Sequence, residues 1–221
     1  MNRVSFTLVL LFLLVISPLH LMAENLHAFT PHYIIAVDNS GSMKHNGSSE
    51  GVKKLLNSFI ENLKTGNKVT LVTFGSENSV VFNGNINNDE GLDTLKSKAE
   101  SIKYDGSYTD IKGGFDFVLD FLAMKELNEV QPFVIFLTDG ELDLVSRKNA
   151  TFPEEIMGNN DFSELLTEYK PYIRGNSIER TSLEEFNKRI NQQGGELVRR
   201  DIIPKLKNEV TPLFILSFSL E

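Results

Sequence analysis

The sequence predicts an α/β fold: a doubly wound, mostly parallel central sheet with helices on both faces. Three observations predict it. Several short runs are apolar at every position, as strands buried on both faces are. Segments with apolar residues at helical spacing separate these runs. Two of the apolar runs end abruptly in polar, turn-forming signatures, DNSGSM and TDG. Alternating strands and helices joined by right-handed crossovers give such a sheet.

The elements follow in order. Tyr33 to Val37 (YIIAV) is the first strand, and Glu50 to Lys64 a helix with Val52, Leu55, Leu56, Phe59, Ile60 and Leu63 on its apolar stripe. Gly66 is a natural stop for it. Val69 to Phe74 is the second strand and Ser79 to Phe82 a short third. Leu92, Leu95, Ala99 and Ile102 mark the next helix, and Ile111, Phe115, Val118, Leu119 and Leu122 another. Gly113 and Gly114 near the start of the latter predict close packing against a strand. Phe133 to Leu137 (FVIFL) is a fourth strand, ending at Thr138-Asp139-Gly140. Ser182 and Glu185 have capping-box spacing ahead of the stripe Leu183, Phe186, Ile190. Gly194-Gly195 is expected to break that helix. A second helical stretch from Glu196 to Asn208 contains Pro204, which interrupts a helix ladder. Leu213 to Phe218 is the last strand.

Met1 to Ala23 has the layout of a secretory signal peptide: Arg3, a dense apolar run from Val4 to Ile16, a break at Ser17-Pro18, and a small residue at Ala23. The apolar run is short for a membrane span, which needs about 20 residues. Cleavage is expected, leaving no integral span and placing the protein outside the cytoplasm, secreted or in a bacterial periplasm or envelope. Residues 24–32 then form a short extension and 33–221 one domain. The chain has 221 residues, no cysteine and a net charge of −8. Thiolate metal sites and Cys nucleophiles are excluded. Such an acidic chain is unsuited to the phosphate backbone of nucleic acids.

The chemistry gathers at the two polar signatures. Ligands in open α/β sheets sit outside the carboxyl ends of the strands. Asp38, Ser40 and Ser42 stand in D-x-S-x-S spacing, so in an extended loop their side chains face one way. Thr109, in GSYTDI, precedes the Ile111 helix, and Asp139 ends the fourth strand. Two carboxylates and three hydroxyls from three loops make an all-oxygen set, suited to Mg²⁺, Mn²⁺ or Ca²⁺ and not to zinc or copper. Singly, the serines could be turn residues, Thr109 a helix cap and Asp139-Gly140 a plain turn. Their joint occurrence in order at strand ends argues for a site. Asn39 and Glu141 read as bystanders, and Asp110 and Asp116 as helix-start or solvated carboxylates.

These motifs resemble the von Willebrand factor type A domain family. Its metal-ion-dependent adhesion site combines D-x-S-x-S with a later Thr and Asp, and Asp38, Ser40, Ser42, Thr109 and Asp139 match all five positions. The resemblance covers Tyr33 to Glu141, and extends to Leu213 to Phe218. It implies a Rossmann-like fold in which Ser40, Ser42 and Thr109 ligate Mg²⁺ (or Mn²⁺ or Ca²⁺), while Asp38 and Asp139 act largely through bound water. It implies a non-enzymatic protein-binding module whose partner supplies an Asp or Glu carboxylate.

The chain also departs from the family. Glu141 to about Thr181 looks like an insertion, acidic and punctuated by Phe152, Phe162, Tyr169 and Tyr172. It is either an open solvated loop or a specificity lid beside the metal. The family adds a helix and a strand after LFILSF, so a fragment truncated at the C-terminus is expected. The alternative function is a Mg²⁺-dependent phosphatase or phosphotransferase of haloacid dehalogenase type, with Asp38 as nucleophile. That chemistry needs a second carboxylate two residues on, where this chain has Ser40. A serine hydrolase is weaker still, because NSGSM lacks the G-x-S-x-G elbow.

Overall fold

The computed structural model describes residues 30–45, 47–123, 130–140, 142–205 and 213–217. The expected signal peptide and Glu141 lie outside the described residues. In chain order the strands are β1 (Thr30–Asp38), β2 (Lys68–Phe74), β3 (Ser79–Asn85), β4 (Val130–Thr138), β5 (Ile173–Arg174), β6 (Ser177–Ile178) and β7 (Leu213–Ser217). The central sheet has the order β3-β2-β1-β4-β7, and β5 with β6 forms a separate hairpin. Every pairing in the central sheet is parallel except β2 with β3. The expected doubly wound class is therefore observed. The chain leaves β1 toward β2 on one side and returns to β4 on the other, so β1 and β4 flank the point where winding reverses.

The helices are α1 (Gly41–His45), α2 (Ser48–Glu61), α3 (Asp89–Glu100), α4 (Ile111–Ala123), α5 (Glu154–Met157), α6 (Ser163–Tyr169) and α7 (Leu183–Leu197). Strand alternation sends apolar residues to both sheet faces. Ile35, Val37, Val69, Leu71 and Leu137 pack with Met43 of α1, with Val52, Leu56 and Ile60 of α2, and with Leu95 and Ala99 of α3. Ile34, Ala36, Val72, Phe74, Val134 and Phe136 pack with Phe115, Val118 and Leu119 of α4 and with Ile202. Phe115 and Phe136 lie 4.0 Å apart between ring centroids. Gly114 gives the closest approach of α4 to the sheet: a Cβ there would stand 2.7 Å from the Phe74 ring.

Several details differ from the sequence expectation. β1 begins at Thr30 and not Tyr33, because His32, although polar, is buried in register with Lys68 and Pro132. Thr70 Oγ1 donates to Asn83 Oδ1, so its contact with His32 Nε2 (2.8 Å) is one in which the imidazole donates. Burial, with nearby Lys68, holds the His32 pKa down to about 4. The stretch after Asp139 is not an open loop. Residues 142–197, which include the expected insertion, fold as a satellite around Leu144, Val145, Phe152, Phe162, Tyr169, Phe186 and Ile190. Helix α7 runs through Gly194-Gly195 unbroken. A Cβ on Gly194 would meet Leu144 Cδ1 at 2.7 Å, so the glycine serves close packing and not termination. The chain then passes through a π turn, Val198–Ile202, one turn ahead of Pro204, where the regular ladder lacks an N–H. The capping box does not form: Ser182 has helical dihedrals and its side chain makes no cap bond.

Gly114→Ala is expected to lower stability by about 1–3 kcal/mol, because the methyl must displace Phe74 from a close-packed core. Urea denaturation of the two proteins checks it, with no loss speaking against the close approach.

Candidate metal centre

Strand ends position the site. Asp38 closes β1 and Thr138 closes the neighbouring β4, each completely or nearly buried. Thr138 Oγ1 donates to Asp38 Oδ2 at 2.8 Å, and accepts from the Gly140 amide at 3.0 Å. The Ser40 amide donates to Asp38 Oδ1 at 2.9 Å. Both carboxylate oxygens are thus held, and the first loop is folded back over the end of its own strand. Ser40 and Ser42 hydroxyls are 2.9 Å apart, as two donors directed at one point would be.

The second loop docks on the first through its backbone. Gly41 N–H donates to Gly106 O at 2.9 Å, and Gly106 N–H donates to Asn39 O at 3.1 Å. A Cβ on Gly106 would lie 3.2 Å from Asn39 O and 3.3 Å from Ser40 Cα, so glycine permits this contact. The capping role at α4 falls to Asp110, whose Oδ1 accepts from Gly113 N–H at 2.9 Å. This answers the cap reading of Thr109. Thr109 is itself buried, and its N–H donates to Asp143 O at 2.7 Å, joining the satellite to the centre.

Ser40, Ser42 and Thr109 line one open cleft of about 390 Å³. Asp38 and Asp139 are buried at the adjoining ends of β1 and β4. Asp38 is raised to about pKa 6, first by burial and further by the charge of Asp139, against the pull of its hydrogen bonds to Ser40 and Thr138. Two neighbouring buried acids beside three hydroxyl residues suit a hard divalent cation, which would relieve both burial and repulsion. Among the described residues no group of three or more His, Asp or Glu could hold a metal, so any cation here relies on the hydroxyls. Ser40, which replaces the second carboxylate of a haloacid dehalogenase, bonds Ser42. Sequence reasoning missed Thr138, Gly106 and Asp143. Thr138 stood inside the TDG signature and could have been found there. The other two act through backbone atoms and leave no side-chain signal.

A carboxyl raised in the folded state gives stability that is complete below its unfolded pKa of 3.8 and lost as pH rises through about 6. Asp38→Asn abolishes that loss. In EDTA the variant is expected to gain on wild type between pH 4 and 7, by on the order of 3 kcal/mol. Urea midpoints across this range check it, and a difference that does not change with pH would contradict the buried charge.

Residues 33–141 match the family model described as the von Willebrand factor type A domain. No curated protein matches the chain. Similar solved structures include the vWF domain of the type V pili tip protein Mfa5 from Porphyromonas gingivalis, at 15% identity and TM-score 0.44 over 64% of this chain and 52% of that one. Others are a von Willebrand factor type A protein from Catenulispora acidiphila (18%, TM-score 0.46, 51% of this chain, 27% of that one) and the pilus adhesin SpaC from Lactobacillus rhamnosus GG (22%, TM-score 0.43, 52% and 16%). The chain spans less than two thirds of each of these structures. The similarity to the von Willebrand factor type A domain family extends over residues 33–141.

Proposed function

We propose that the protein is an extracytoplasmic, non-enzymatic protein-binding module that captures an Asp or Glu carboxylate of a partner through a divalent cation. Mg²⁺ is the first choice, with Mn²⁺ or Ca²⁺ as alternatives. The observation that carries this reading is the convergence of the site: Asp38 and Asp139 buried at adjoining strand ends, with Ser40, Ser42 and Thr109 lining the cleft beside them. The bound cation would supply a positive charge with a position open to an incoming carboxylate. Neutral hydroxyls on the cleft side leave that charge under-compensated toward the partner. Asp38, pinned by Thr138 and the Ser40 amide, keeps the first loop in place whether or not a partner is present. The signal-peptide pattern of residues 1–23 supports the extracytoplasmic assignment. Among the described residues no helix is long and apolar enough to cross a membrane.

Thermal unfolding tests the reading. Mg²⁺ at a hundredfold excess over its Kd is expected to raise the wild-type Tm by roughly 5–10 °C over EDTA. Thr109→Ala and Asp38→Asn should each shrink that rise. An equal rise in all three proteins would overturn the ligand assignment.

A further inference from the structure

The rim of the cleft at the candidate metal centre gathers cationic side chains on an otherwise acidic molecule. The chain carries a net charge of −8. Yet Lys44 and His45 from α1, and Arg147 and Lys148 from the satellite, line this cleft and are exposed. The acidic groups facing it are Asp105, on the docked second loop, and Asp143. Asp143 is already engaged, 3.8 Å from Arg147 and 3.5 Å from Asn191 Nδ2.

The satellite side of this rim is built to stay in place. Ser146 N–H donates to Thr151 O at 2.7 Å, and Ala150 N–H to Ser146 O at 2.6 Å, closing a tight turn around residues 147–149. Ala150 takes a left-handed φ of 54° there. Arg180 donates from one guanidinium to Arg147 O at 3.2 Å and Lys148 O at 2.6 Å. One arginine thus clamps the backbone that presents two other cations. The Thr109–Asp143 hydrogen bond fixes the turn's approach relative to the centre. A preorganised cationic rim loses little entropy on binding an anionic chain.

We propose that the satellite makes this domain selective for an acidic segment: a partner stretch in which the metal-directed carboxylate is flanked by further Asp or Glu residues, held by Arg147 and Lys148 with Lys44 opposite. The inference rests on the carboxylate-capture reading above and deepens it. One carboxylate would face the cation, and its neighbours would pair with the rim. Selectivity then arises from charge complementarity around a shared anchor, and like-charged surface elsewhere on the molecule disfavours acidic chains that miss the cleft.

The test uses fluorescence anisotropy with two labelled Gly–Ser peptides, one bearing a single Glu and one bearing Glu at alternate positions. In Mg²⁺ the wild type is expected to bind the multiply acidic peptide about tenfold more tightly, with a preference that falls as salt is added. The double variant Arg147→Gln, Lys148→Gln should reduce that preference to near unity. A control with the same charge change outside the cleft, Lys98→Gln with Lys170→Gln, should keep it. Wild-type and rim-variant proteins with the same preference, or a control that loses it equally, would overturn the rim while leaving metal capture intact. Binding that falls in the rim variant but is undiminished by EDTA and by Thr109→Ala would overturn metal capture, and with it the anchored mode proposed here. Failure of either peptide to bind wild type in Mg²⁺ would overturn the proposal outright.

Discussion

Asp38 carries a carboxyl group that solvent does not reach, at the one point of the sheet where two parallel strands end side by side in opposite winding directions. Much of the surrounding architecture serves this group. Thr138 comes from the neighbouring strand to hold one oxygen, and the Ser40 amide turns back to hold the other. Two hydrogen bonds do not repay full desolvation of a charge, and the carboxyl remains a reluctant acid. The fold therefore retains a destabilised group at the buried carboxyl end of its first strand. Such a cost persists where the surrounding structure is stable enough to bear it, and two apolar layers on either face of the sheet provide that margin.

The legible part of this architecture is the part written in side-chain periodicity. Runs such as YIIAV and FVIFL read as buried parallel strands because both faces of the sheet are covered, and the ends of those runs located the candidate site. The double glycine before Phe115 signalled close packing for the right reason. What stayed hidden was set by backbone and by tertiary contact. Gly194-Gly195 resembles a helix stop, yet the same lack of a side chain admits Leu144 against α7. Ser182 and Glu185 have the spacing of a capping box, but Ser182 already lies in helical conformation and leaves its cap bond unmade. The satellite was illegible as a folded unit because, apart from the stripe on α7, its apolar residues are spread over short helical turns and a two-residue hairpin, too short to show a period.

The satellite also changes what the overall charge means. A net charge describes the far field, which salt screens within about 10 Å at ordinary ionic strength. At contact, only the groups lining the cleft matter, and these come disproportionately from one turn of the satellite and from α1. Helix α7 ties that turn's lobe to the central sheet: Phe186 and Ile190 fill the satellite core, while Ile202, the last residue of the π turn, lies in the sheet's own core. The two cores are mechanically continuous through a single helical run.

The hydrogen bond from Thr109 N–H to Asp143 O gives this continuity a kinetic meaning. Thr109 cannot leave the centre without breaking it, and the satellite cannot swing away without releasing Thr109. Sub-global opening of the satellite therefore removes a bond that holds Thr109 at the centre. The satellite acts as a latch. Opening of the cleft would be set by how often a lobe packed around Phe152 and Phe186 comes loose, a rate governed by residues remote from the cleft itself.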